Sequence, residues 1–287
     1  MQPLRRLRRT LDDMISRSRR WVAAFALGTA LALALSGCTP EEVASAPFIE
    51  GEKPIDRAAA FLVSNEAILG SDAIYPLVYL RRRFGAEWAQ GAMDRLAVKS
   101  REPEYKETLY PFLRLLDPTA RYSFDPAAPP PVFAAAPTAW NLVRALHCSE
   151  VPLTSDFIKS VDEQALAWDR GAAIGARAIG WAADQGCLDN FDLKAIDDRL
   201  KEKMLDYVRS HDATDVGYVE AVATLLYRGQ RSSVDPAWIS KIESIQAPEG
   251  SWNLTGAATD RSTSESLLAL IQFANPDAPR VSWVPLG

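Results

Sequence analysis

Asp169, Asp215 and Asp260, beside the ends of strongly apolar segments, and Glu220, inside one, are candidate carboxylates of this 287-residue chain. Two carboxyls held ~5–9 Å apart across a cleft are the groups that cleave glycosidic bonds. His147 closes another apolar segment, and an imidazole there has the right pKa range for a general base. Asp215, Glu220 and His147 are thus the catalytic candidates, but no residue is assigned a catalytic role, because spacing gives none of them a partner. Other chemistries lack their residues. No Gly-x-Ser-x-Gly elbow or phosphate loop is present, and Asp197-Asp198 does not extend into a longer acidic run. His147-Cys148, Cys187 and His211 have neither the number nor the spacing of a zinc set. No metal and no cofactor is expected. Gly171, Gly175 and Gly180 share one helical segment and are read as sites of close helix packing, not nucleotide binding.

Four lone charges stand out. Arg144 is the only one in 138–147, Arg177 in 171–183, Glu220 in 216–227 and Glu265 in 262–274. Charges on helices apolar on nearly every face must meet one another or a watery space, since burying them unpaired is costly. At helical spacing Trp140, Arg144 and His147 share a face, as do Arg177 and Trp181, and Glu220, Thr224 and Tyr227. One reading makes Trp140, Arg144, Arg177, Trp181, Glu220 and Tyr227 a binding cavity with a polar floor and aromatic walls. The other makes the charges internal Arg–Glu bridges, with Glu265 completing a Ser262-x-x-Glu265 capping box.

The elements that carry these residues are helical throughout. Periodicity places helices at 54–65, 71–84, 86–98, 104–116, 138–147, 155–167, 170–185, 192–210, 214–228, 235–246 and 262–274. No alternating run argues for a sheet, so the class is all-α. A Pro-rich strap at 121–137, with Pro129-Pro130-Pro131, separates two groups of helices that are kept as one domain over 54–275, followed by a tail at 276–287. Helix starts at Thr154, Asp192 and Asp235 recur after 38 and 43 residues, a helix-pair repeat of about 40. In each pair a helix apolar all round follows one with a charged face, such as 192–210. Inner apolar helices surrounded by outer amphipathic ones explain both kinds.

Composition divides the chain. There are 32 Lys+Arg and 37 Asp+Glu, but residues 1–37 hold seven Arg and two Asp, so the remainder carries a balance of −10. An acidic domain excludes nucleic acid as a partner. The basic residues precede an apolar run, Trp21–Leu35, that is ~22 Å long as a helix and too short for the ~30 Å bilayer core. This is the layout of a cleaved export signal. Met14 gives it ordinary length and is an alternative start.

Leu35-Ser36-Gly37-Cys38 resembles the lipobox of bacterial lipoproteins at every position. The resemblance implies removal of 1–37, lipidation of Cys38 and, from Thr39, sorting to the outer membrane facing the periplasm. Ser18-Arg19-Arg20 is a fragment of a twin-arginine signal without its continuation, so ordinary Sec export is expected. Residues 38–53, rich in Pro, Glu, Ala and Ser, are then a lipidated tether. A second resemblance lies at Gln246-x-x-x-Gly250-x-Trp252, which is similar to the Gln-Trp motif of the terpenoid cyclase and prenyltransferase α/α toroids, with Ser262–Leu270 as the following inner helix. It implies an α/α toroid, or an arc of one, in which Gln246 bonds a helix end and Trp252 covers it. The family's Asp-x-Asp-Asp and metal-binding runs are missing, so its chemistry is not implied.

In a toroid the inner helices run parallel, which brings Cys148 and Cys187 to one rim. A disulfide there stands beside two alternatives, a pair of buried free thiols and a reactive thiol or ligand. These readings lead to a lipid-anchored, non-catalytic envelope protein that binds a partner protein or a small ligand. Its rivals are a polysaccharide-active lyase or glycosidase and an open helical-repeat scaffold.

Overall fold

The computed structural model describes residues 53–65, 69–126, 128–167 and 170–284. The segment read as an export signal, Cys38, nearly all of the expected tether and Asp169 lie outside the described residues. Among those described the fold is all-α, with no strand. No helix among them is long and apolar enough to cross a membrane.

The helices are α1 Pro54–Ser64, α2 Ile74–Phe84, α3 Gln90–Lys99, α4 Pro131–Ala134, α5 Pro137–Leu146, α6 Ser155–Ala167, α7 Gly171–Asp184, α8 Lys194–Ser210, α9 Val216–Tyr227, α10 Pro236–Ser244 and α11 Thr259–Ala274. Pro54, Pro131, Pro137 and Pro236 occupy first-turn positions, where a missing N–H costs no helical bond. Asp215 and Asp235 cap α9 and α10 by accepting from Gly217 N and Ala237 N at 2.6 and 2.8 Å.

Two expectations fail locally. The helix expected over 104–116 is instead two short 3₁₀ turns, Pro103–Tyr105 and Tyr110–Leu115, because Pro111 cannot donate in the interior of a longer helix. The capping box also fails. Helix α11 begins three residues earlier than expected, its N-cap is Ala258, and Glu265 turns inward.

Helix pairs α6–α7, α8–α9 and α10–α11 start at Ser155, Lys194 and Pro236, preserving the repeat. The apolar partners pack in series, α5 on α7, α7 on α9, α9 on α11 and α11 on α2. The turn Tyr110–Leu115 then touches both α2 and α5 and closes the series of contacts. Side chains show that these helices share one direction. Arg170, just before α7, and Arg261, at the start of α11, meet Glu220 in the first half of α9. At the other end Tyr227, closing α9, meets Asp184, closing α7. A disulfide joins Cys148 to Cys187, just beyond α5 and α7 and one repeat apart, with Cα atoms 6.1 Å apart. Close approach is possible because α7 is rich in Gly and Ala: a Cβ at Gly180 would lie 2.6 Å from the Tyr227 hydroxyl. The amphipathic α8 buries Ile196, Leu200, Met204, Leu205 and Val208 and turns its charges outward.

The Gln246–Trp252 segment fastens three helices, α1, α10 and α11, the last through Trp252 N, which donates to the Thr263 hydroxyl at 3.1 Å. Gln246 Nε2 donates to Pro54 O and Gly250 O, both at 2.9 Å, and its Oε1 accepts from Arg57. The Trp252 indole donates to Ile242 O at 2.7 Å, in the last turn of α10. The Trp therefore satisfies the helix end, whereas the Gln ties α1 to the turn. Gly250 has φ +97°, and a Cβ there would lie 2.3 Å from Arg57 O, so the position admits only glycine without movement.

The described part of the tail does not hang free. Arg82 donates to Ser282 O and Trp283 O, and Arg83 to Ala278 O. These bonds seat Trp283, fully buried, among Tyr79, Trp181 and Tyr227 with ring centroids 4.3, 5.8 and 5.3 Å away.

Candidate functional site

The inner faces form three layers between the two ends of the bundle. At the end where α7, α9 and α11 begin, Arg170 and Arg261 converge on buried Glu220. Arg170 Nε and Nη2 donate to its two carboxylate oxygens at 2.9 and 2.7 Å, and Arg261 Nε adds a bond of 2.9 Å. Burial alone opposes ionisation of Glu220, but Arg261 and Arg170 outweigh it and hold the carboxyl down at about 2. One layer deeper, Arg177 pairs with Glu265 through both Nη atoms and donates to the Thr224 hydroxyl at 2.8 Å. Its guanidinium lies 5.5 Å from the Tyr75 ring centroid. Burial opposes the charge of Arg177 as well, and Glu265 restores it, so the group is held more firmly protonated than usual. The third layer is the aromatic plug of Trp181, Tyr79, Tyr227 and Trp283.

Beside the first two layers lies a cavity of about 580 Å³, within the size range of small-molecule sites. Elements that start or turn at this one end line it. Asp72 comes from the 3₁₀ turn Ser71–Ala73 just before α2, Tyr75 from the beginning of α2, Thr138, Ala139 and Leu142 from α5, Gly171 and Ile174 from α7, and Arg261 from α11. Phe112 and the strap residues Val132, Phe133, Ala135 and Ala136 complete an apolar wall. The strap is held down from behind: Trp140 packs on Phe133 at 5.6 Å and on Phe124 at 4.9 Å. Polar groups gather where Arg170 and Arg261 meet through Glu220 and Arg261 meets Asp72, and Thr108 and Thr138 also line the cavity. Asp72 accepts from Arg261 Nη1 at 2.9 Å.

The residues expected to form a binding site lie elsewhere. None of Trp140, Arg144, Arg177, Trp181, Glu220 and Tyr227 lines this cavity. Arg177, Trp181, Glu220 and Tyr227 are buried at 2% exposure or less. The interior they share is filled, because small residues on α7 bring the helices together and Trp283 occupies the remaining space. Three of the four lone charges form internal bridges, Arg177 with Glu265 and Glu220 with Arg170 and Arg261. Arg144 lies over the Phe157 ring at 5.3 Å, its pKa lowered by burial. The Tyr227 hydroxyl donates to Asp184 at 3.1 Å, and burial pushes its ionisation up.

The catalytic candidates are likewise occupied. Asp215 caps α9 and accepts from the Tyr207 hydroxyl. Glu220 holds two arginines, and Asp260 accepts from Gly70 N at 2.6 Å. His147 is 1% exposed. Its Nε2 lies 2.9 Å from the Pro111 carbonyl, which can only accept, so that nitrogen carries hydrogen. Its Nδ1 faces Glu150 Oε2 at 3.1 Å. Burial pushes the imidazole pKa down, against the pull of the Pro111 carbonyl and Glu150. With both nitrogens engaged, His147 anchors the Tyr110–Leu115 turn and has no free face for substrate.

Among the described residues no group of three or more His, Cys, Asp or Glu is placed to hold a metal. The chain matches no protein-family model, no curated protein and no solved structure. Arg170, Arg261, Asp72 and Tyr75 escaped the sequence reading. The signal for them was their position at the beginnings of apolar helices, the counterpart of the helix ends that brought Cys148 and Cys187 together.

Proposed function

We propose that this protein is a lipid-anchored component of the cell envelope, held by Cys38 at the outer membrane, that binds a small, largely apolar ligand without transforming it. The observation that carries the binding reading is the 580 Å³ cavity, walled by Phe112, Val132, Phe133, Leu142 and Ile174 and polar at one edge. Among the described carboxylates that a glycoside-cleaving enzyme could use, Asp215 is committed as a cap, Glu220 in ion pairs and Asp260 to the Gly70 backbone. The anchoring reading is supported by the lipobox and by the short apolar run before it. The closed series of helix contacts supports an α/α toroid in preference to an open scaffold.

Two measurements test the proposal. A clickable fatty acid fed to cells should label the wild-type chain but not Cys38→Ala, and only the wild type should sediment with membranes. Native mass spectrometry of the full chain released from membranes should show a retained small molecule. That mass should vanish in Ala139→Trp, whose indole would fill the cavity. An unlabelled wild type refutes the anchor, and an identical bound mass in Ala139→Trp refutes the cavity.

A further inference from the structure

We infer that the cavity selects a single-tailed amphiphile with an anionic head, carboxylate or phosphate, and that Asp72 occupies the place of that head until the ligand arrives. The inference rests on the binding reading above and adds the chemical class.

The apolar wall accounts for the tail, and three features of the polar edge account for the head. First, a guanidinium has five N–H donors. Arg170 uses three, two on Glu220 and one on Gly256 O. Arg261 also engages three nitrogens, two on Glu220 and one on Asp72. Each therefore has N–H groups beyond these bonds, and both guanidiniums belong to residues that line the cavity, the planar fork that suits carboxylate and phosphate oxygens. Secondly, two guanidiniums share the single buried carboxylate of Glu220, which leaves one positive charge to be balanced. Asp72 balances it from a position 53% exposed to solvent. An exposed, screened carboxylate is a weak competitor for a guanidinium that a ligand can approach from a drier side. Thirdly, α5, α7 and α11 all begin at this edge, and their aligned peptide dipoles place partial positive charge there. A cationic head would meet Asp72 alone against all three.

The test is photolabelling of the membrane-anchored full chain with diazirine-bearing probes of one chain length. The heads are carboxylate (a diazirine hexadecanoic acid), phosphate, alcohol and trimethylammonium. Labelled peptides are mapped, so adsorption to lipid or surface is separated from occupancy of the cavity. Carboxylate or phosphate probes should label peptides containing 132–142 and 171–174 at least about tenfold above the alcohol and ammonium probes, the value of one charge-assisted bidentate contact. Arg261→Gln should lower that labelling by a similar factor while Arg170 still pairs with Glu220. Asp72→Asn should raise it several-fold, because the competing carboxylate is gone and the shape is kept. A purely structural role for Asp72 could not produce an increase. Equal labelling of the cavity by the alcohol probe, or no gain in Asp72→Asn, overturns the head-group assignment and leaves an apolar site. No labelling of these peptides by any probe overturns the binding reading as well.

Discussion

Arg177 and Glu265 form an ion pair from which water is excluded, with exposures of 2% and 0%. Such a pair stabilises little relative to apolar replacements, but breaking it leaves a buried charge alone. Glu265→Gln should therefore cost about 3–5 kcal/mol in urea unfolding, and Arg177→Met with Glu265→Leu should recover most of that loss. Glu220 makes a second prediction, one of pH. Its carboxyl titrates at about 2 in the folded chain against 4.5 ordinarily. Because the folded value is the lower one, its contribution is complete above about 4.5 and lost as pH falls toward about 2. Urea midpoints measured across that interval should fall with acid, and Glu220→Gln should flatten the slope. Lone charges on apolar helices announced that partners existed. Which charge met which depends on how each helix is rotated against its neighbours, and a single periodic sequence does not encode that rotation. Arg170 and Arg261 were missed for a simpler reason: they sit among other polar residues at helix starts and look solvated.

At the scale of elements, two fastenings can be tested separately. Gly250→Ala should destabilise the fold, since φ +97° is strained for alanine and its Cβ would press on the Arg57 carbonyl. The loss should be read as a lower melting temperature, with Gly85→Ala, left-handed but uncrowded, losing less. Reducing the disulfide between Cys148 and Cys187 should remove roughly 4 kcal/mol by the loop-entropy relation for a separation of 39 residues. An unchanged urea midpoint in reductant would show that the neighbouring helices are held by packing alone. Most helices were legible from apolar spacing and capping residues, Asp235 among them. The segment 104–116 was not, because Pro111 interrupts an otherwise acceptable pattern.

At the scale of the molecule, the two ends of the inner helices do different things. The end where they finish is sealed by Trp283, and the end where they begin carries the cavity. Trp283 lay beyond the last periodic helix, so nothing in the sequence marked it as interior, and the expected central site is filled by it. Trp283→Ala should cost about 3–5 kcal/mol yet leave ligand binding at the opposite end intact. The measurement that tests the account most directly is titration of the anionic apolar dye 8-anilinonaphthalene-1-sulfonate into the full chain in lipid nanodiscs, with empty discs as the blank. One saturable site is expected in the wild type, lost in Ala139→Trp and retained in Trp283→Ala under conditions where both are folded. A site that survives Ala139→Trp, or that disappears with Trp283→Ala, would contradict it.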